Sequence, residues 1–239
     1  MSRPTAETAA TFVLMLALSL AGLAFGQAGQ APPGEWQRSF SVSAADLATS
    51  GESPYFVLQP GYQLTLEGRE SGKAVRLVVS VLAETKVVGG IEARVVEERE
   101  TANGALTEVS RNYLALHKTT RDVYYLGEDV DVYKNGKVVN HEGAWLHGSA
   151  GATLGLLIPG TPVPGQGYYQ ELAPRVAMDR ARVLSVSERV TTPAGTFDNC
   201  LKTEETTPLE SGERAFKVYA PGIGLAQDGP LVLVSYSKR

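Results

Sequence analysis

Beyond residue 54 the chain is dominated by a two-residue alternation of apolar and polar positions. The stretch 62–67, YQLTLE, sets Tyr62, Leu64 and Leu66 against Gln63, Thr65 and Glu67. The run 73–84, KAVRLVVSVLAE, is longer and β-branched, and similar runs follow at 91–100 and 105–116. A period of two places alternate side chains on opposite faces of a strand, so these segments predict strands with one buried face. Gly89-Gly90, Asn103-Gly104 and Asn135-Gly136 stand between runs as two-residue turn signals, the Asn-Gly pairs favouring the type I′ hairpin. Further strands are predicted at 122–127, 137–141, 168–172, 178–190, 196–205, 213–219 and 231–236. The Gly/Pro-punctuated stretch 148–167 reads as a loop, with its apolar part, 152–163, as a lid. The pattern predicts an all-β fold: an antiparallel meander curved into a sandwich or open barrel, of the kind that encloses a ligand cavity.

The first residues follow another rule. Arg3 precedes an apolar run over 9–24, and Ala24-Phe25-Gly26 offers small residues at the two positions a signal peptidase reads. This predicts a signal peptide over 1–26, cleaved before Gln27. The run is shorter than the roughly 20 apolar residues a membrane span needs. A flexible lead-in rich in Gly, Ala, Ser and Pro is expected over 27–53, then a single β domain over 54–239. The expected location is the periplasm or the outside of the cell, with no membrane-spanning segment after cleavage.

Composition narrows the partners. Cys200 is the only cysteine, so no internal disulfide forms and the core alone must hold the fold. The formal net charge is -4 and no basic block occurs, which argues against nucleic acid.

Known chemical signatures fail when tested. HEGAWLH (141–147) has its histidines six apart on a predicted strand, where a zinc protease needs them four apart on a helix. The segment beginning DVDVYKNG at Asp129 has Tyr133 and Asn140 where a calcium loop needs its fifth ligand and its bidentate glutamate. HGSAG around Ser149 has His147 in place of the first glycine of a nucleophile elbow. Cys200 reads as a small buried hydrophobe rather than a nucleophile.

The acidic hairpin at 124–147 carries the candidate chemistry. A two-residue loop at Asn135-Gly136 pairs Lys134 with Lys137, Val132 with Val139, Val130 with His141 and Leu126 with Trp145. In that register Tyr124, Leu126, Glu128, Val130, Val139, His141 and Trp145 share the core face. Glu128 would then lie opposite Gly143 between His141 and Trp145, as the ionisable floor of a small pocket. The alternatives are a plain Glu–His pair, or a β-bulge at Gly127 that turns Glu128 into solvent beside Asp129. On the other face Asp129 would oppose Glu142 with Asp131 next along. These three either form a solvated acidic surface or hold a cation, calcium being the one such oxygen ligands suit. No other cofactor is expected.

Several motifs resemble a family of exported bacterial β-rich proteins of unassigned function. They are VLQPG (57–61), YYLGED (124–129), EGAW (142–145), YYQE (168–171), PAGTF (193–197) and YAPGIG (219–224). The chain departs from that pattern at Leu126, Ala144 and Met178. The resemblance implies the β fold and export, and nothing of a substrate. At the level of fold alone the chain is also similar to the curved half-barrels of periplasmic lipoprotein carriers.

Two functions follow as expectations. The first is a non-catalytic exported domain binding a small or lipid-like ligand, or an envelope protein, through Glu128, His141, Trp145, Tyr124 and Glu171. The tyrosines at 113, 124, 125, 168 and 169 would supply amphipathic lining. The alternative is a carboxylate- or metal-dependent hydrolase drawing on Glu128, Asp129, Glu142, Glu171 and Asp179.

Overall fold

The computed structural model describes residues 35–210, 212 and 214–238. The expected signal peptide and the first part of the lead-in lie outside the described residues. Among the described residues are seventeen strands and one short 3-10 turn, Ala44–Asp46. Strands β1 (Leu47–Ala48), β2 (Gly51–Ser53) and β3 (Phe56–Leu58) are short. The long meander follows as β4 (Tyr62–Glu70), β5 (Lys73–Val88), β6 (Ile91–Ala102), β7 (Ala105–His117) and β8 (Val123–Lys134). Short pieces come next: β9 (Lys137–Asn140), β10 (Trp145–Leu146), β11 (Gly155–Ile158) and β12 (Gly167–Tyr169). A second meander closes the set as β13 (Arg180–Thr192), β14 (Gly195–Thr206), β15 (Ala215–Ala220), β16 (Gly224–Asp228) and β17 (Leu231–Lys238).

Fifteen of these strands form one antiparallel sheet, whose main path runs β10-β8-β7-β6-β5-β4-β17-β16-β15-β14-β13-β12. The two meanders join where β17 pairs with β4, Leu233 facing Leu66. The sheet is neither a sandwich nor a closed barrel. Its ends approach at β11 and β12, where Thr153 N–H donates to Leu172 C=O at 2.9 Å without a continuing ladder. Gly155 permits that approach, since a Cβ there would lie 2.1 Å from the Gln170 carbonyl oxygen.

The turn residues act as their chemistry predicts. Asn103-Gly104 and Asn135-Gly136 hold positive φ at both positions, closing the Ala102–Ala105 and Lys134–Lys137 pairs. A Ser71-Gly72 turn of the same kind extends β4 three residues beyond the predicted strand. Curvature comes from irregularities. On β5 the register slips between Val81 and Thr85, which leaves carbonyls out of the ladder. The buried Arg94 guanidinium fills that gap, donating to Ala83 O at 2.5 Å and to Thr49 O at 2.7 Å.

Two expectations about loops are corrected. Residues 35–53 are not a loose lead-in: Gln37 bridges to Tyr168, and Trp36 stacks edge-on to Tyr169 between the guanidinium groups of Arg180 and Arg182. The apolar stretch 152–163 is not a lid. It supplies β11 to the edge of β8, burying Leu154, Leu156 and Ile158, because an unpaired β8 edge beside apolar residues is best satisfied by another strand. The core is continuous along the sheet, with Leu66, Leu114, Leu126, Ile158, Leu201 and Leu233 all but inaccessible. No helix among the described residues is long and apolar enough to cross a membrane.

Candidate functional site

The interior of the curved sheet is not wholly apolar. Strands β6, β7 and β8 send Glu98, Glu108, Ser110, Asn112 and Glu128 inward. Their order is set by the register, with Glu98 beside Ser110 and Asn112 beside Glu128. From the opposite wall come Glu171, Asp179, Glu205 and Lys217. Together they surround a cavity of about 290 Å³. A second cavity of about 190 Å³, reaching Glu70, Glu100 and Asp228, shares Glu98, Glu108 and Lys217 with the first. An apolar lobe of about 70 Å³, walled by Tyr62, Val79, Val81, Tyr219, Ile223 and Leu225, meets both at Glu98 and Lys217.

One ammonium serves many carboxylates here. Lys217 Nζ lies 3.0 Å from Glu205 and 3.8 Å from Asp228. Burial opposes its charge, but the two carboxylates outweigh burial and raise its pKa. The other acids have no salt bridge to Lys217 among the described residues, and Glu98, Glu171 and Asp179 feel its charge only through space. Burial lifts Glu98 to about 7, Lys217 pulling against the rise. Burial lifts Glu128 to about 8; the Tyr125 hydroxyl beside it resists the rise, and Glu98 and Glu108 add to it. Glu171 is raised by burial first and then by Glu128 and Asp179, and Asp179 by burial and Glu205. Glu128 keeps part of its surface on the cavity, whereas Glu171 is only 9% exposed. Neither carboxylate has an ion pair among the described residues, and Glu171 has no hydrogen bond there either. The indole N–H of Trp145 is turned toward Glu171 but stays outside hydrogen-bond geometry and has no other partner.

The position of Glu128 follows from a bulge. Asn112 pairs with Glu128 and Leu114 with Tyr125, so Leu126 and Gly127 together face Tyr113. Gly127, at φ +131°, makes this possible, because a Cβ would lie 2.3 Å from Trp145 O. The bulge expected to expel Glu128 instead keeps it inside. It shifts the alternation by one, so Tyr125 and Glu128 share the inner face and Leu126 packs behind it. Tyr125 donates to Asn112 Oδ1 at 2.5 Å and stacks edge-on to Trp145, ring centroids 5.4 Å apart. Trp145 is buried as expected but pairs with Glu128, not with Leu126.

The remaining predicted residues lie elsewhere. A second slip, with Val132 opposite Asn140 rather than Val139, turns His141 to the outer side. There His141 is exposed and meets Asp131 at 3.0 Å, with no contact to Glu128, and Val139 is 54% exposed rather than buried. Tyr124 packs behind the sheet, edge-on to Phe40, and does not line the cavity. Asp129 pairs across the ladder with Arg111, not Glu142, and Lys86 and Tyr113 both bind its carboxylate. Asp131 is held by Arg111 at 3.1 Å, and Glu142 sits on an exposed turn capped by Asn140. The calcium site expected from Asp129, Asp131 and Glu142 is therefore not assembled: cations of the chain already neutralise the two aspartates. No group of three or more His, Cys, Asp or Glu among the described residues is arranged to hold a metal. Of the five tyrosines expected as lining, Tyr125 alone reaches the polar cavity.

Of the five carboxylates named for a hydrolase, the fold brings Glu128, Glu171 and Asp179 together and leaves Asp129 and Glu142 outside. Glu98, Glu108, Glu205, Lys217 and Asp228 were missed. For Glu98 and Glu108 the signal is that 97–100 (EERE) and 107–112 (TEVSRN) are largely polar on both strand faces, which a sheet with one dry face does not tolerate. No family model matches the chain, and neither does a curated protein or a solved structure.

Proposed function

We propose that this is an exported, non-catalytic protein that binds a small ligand inside its curved sheet. The observation behind this reading is the pair Glu128 and Glu171, facing a cavity of about 290 Å³ with no cation paired to either carboxylate among the described residues. A buried carboxyl is costly whether it is charged or forced to hold its proton, so a site that keeps two gains when a ligand supplies the missing partner. The polar lining and an apolar lobe of only about 70 Å³ favour a small ligand over a lipid-like one. Export rests on the N-terminal pattern.

The meeting of Glu128, Glu171 and Asp179 favours a second reading, a carboxylate hydrolase. It is the weaker one on physical grounds. Acid–base catalysis needs environments that push two groups apart, one up and one down. Every cavity carboxylate with a displaced pKa moves upward, and no described histidine lines the cavity.

Native mass spectrometry of protein purified from its own envelope tests the binding reading. A retained small molecule, lost in a Ser110→Phe variant that fills the cavity, is expected. Protein that carries nothing and shows no thermal shift with any of a panel of small polar molecules would overturn it.

A further inference from the structure

We infer that Glu128, Glu171 and Asp179 bind the protonated amine of a small ligand whose apolar body points toward Phe56 and Leu157. This rests on the reading of the interior as a ligand site and names the class of ligand. The chain itself displays the chemistry. One alkylammonium, Lys217, already sits in the interior between Glu205 and Asp228 at 3.0 and 3.8 Å. Glu128, Glu171 and Asp179 line the same cavity with no salt bridge to it among the described residues, its charge easing Glu171 and Asp179 only through space.

Three features separate this cluster from an ordinary acidic surface. Glu171 is nine-tenths buried, faces the cavity and has no hydrogen bond or ion pair among the described residues. Trp145 presents a buried, unpartnered N–H to the same carboxylate, which limits where a ligand can sit and leaves the cavity side of Glu171 open. The acids come from separate elements, Glu128 from β8 and Glu171 and Asp179 from the segment between β12 and β13, so the sheet must curve to bring them together. An anionic ligand would meet Glu98, Glu108, Glu128 and Glu171 with only Lys217 to receive it, and Lys217 is already paired. A neutral alcohol supplies no positive charge to draw the protons from these buried carboxyls, whose pKa values burial raises. An ammonium group donates up to three hydrogen bonds and supplies the charge. Phe56 and Leu157 line both this cavity and the apolar lobe, and so offer a surface to a short hydrocarbon body attached to the amine.

Isothermal calorimetry on the full chain with hexylamine, hexanol and hexanoate tests the inference. Hexylamine should saturate one site, and the other two should bind at least about tenfold more weakly, as expected when charge-assisted hydrogen bonds are missing. Glu171→Gln should weaken hexylamine by roughly ten- to a hundredfold with the fold retained by circular dichroism. Asp179→Asn provides a second variant in case the first does not fold, and the outer-face change Asp131→Asn should leave binding unaltered. Equal binding of hexanol or hexanoate would overturn the amine assignment while leaving the interior as a ligand site. Binding of none of the three, by a protein that also carries no retained molecule, would overturn both.

Discussion

The two faces of β6, β7 and β8 carry similar numbers of acids and opposite electrostatics. On the outer face every acid of the network has a cation. Asp129 meets Lys86 at 2.9 Å, Asp131 meets Arg111 at 3.1 Å, and Glu97 lies 3.4 Å from Arg111 and 3.6 Å from Arg99. On the inner face Glu98, Glu108 and Glu128 have no such partner among the described residues, and only Glu98 is eased by the charge of Lys217. Partnered acids at a solvated surface are what a sheet needs for solubility, and their net worth is small. Unpartnered acids in an enclosed space weaken the fold and persist where something else requires them. The difference between the faces, rather than the acids as such, marks the site.

The largest effect should come from the ring packed behind the inner site's Tyr125. Trp145→Ala removes a buried ring packed on Tyr125 and should cost about 3–5 kcal/mol in urea unfolding. A smaller loss would mean that the inner wall can collapse and that the cavity is not rigidly held. Next comes Lys217, the one cation lining the inner cavities among the described residues. Lys217→Met leaves Glu205 and Asp228 unpaired and should cost about 3 kcal/mol at pH 8. The loss should shrink as pH falls, because burial raises the pKa of Asp228 and lets it take up a proton. A pH-independent loss would place the lysine's role in packing.

The inner carboxylates also predict a pH profile. Glu98 and Glu128 have folded pKa values near 7 and 8, above the ordinary 4.5, so the native state holds their protons longer than the unfolded chain. The associated stability is complete below about pH 4.5 and is lost as pH rises through the folded values, by up to about 1.4 kcal/mol per pH unit for each group. Thermal melts from pH 4.5 to 8.5 should therefore show a falling Tm. Glu128→Gln should flatten that slope, and an unchanged slope would remove Glu128 from the buried set. The smallest effect belongs to the outer face. Lys86→Met should cost no more than about 1 kcal/mol, less in high salt, because the pair with Asp129 is half exposed. A loss as large as that of Lys217→Met would erase the distinction between the faces.

Much of the fold was legible in the sequence because strand alternation and Asn-Gly turns are local signals. The hairpin tip at Asn135-Gly136 closes as its φ preference dictates. Two single-residue slips, near Gly127 and near Val139, lay beyond that logic. Each depends on what packs across the strand, such as the Trp145 backbone against Gly127, and each reverses which residues face inward downstream. Of the residues expected at a ligand site, Glu128 and Glu171 line the cavity, the first through a register that proved wrong in detail, and Trp145 is buried beside them. His141 and Tyr124 were assigned to the wrong face for the same reason. Glu205, Lys217 and Asp228 lie some hundred residues away in sequence, and only the curvature of the whole sheet carries them to Glu98 and Glu128.

The pairing of β17 with β4 has a kinetic consequence. Val232 and Glu67 are neighbours across 165 residues of chain, and this seam lies in the middle of the main sheet path rather than at its rim. Until residues 231–238 insert, the protein consists of two separate sheets with bare edges at β4 and β16. Closure of so long a loop is slow, and bare edges attract other chains. The molecule should therefore fold late and as a whole, most exposed to aggregation just before the seam forms. Deleting 231–238 should leave two half-sheets that associate rather than a smaller version of the same domain.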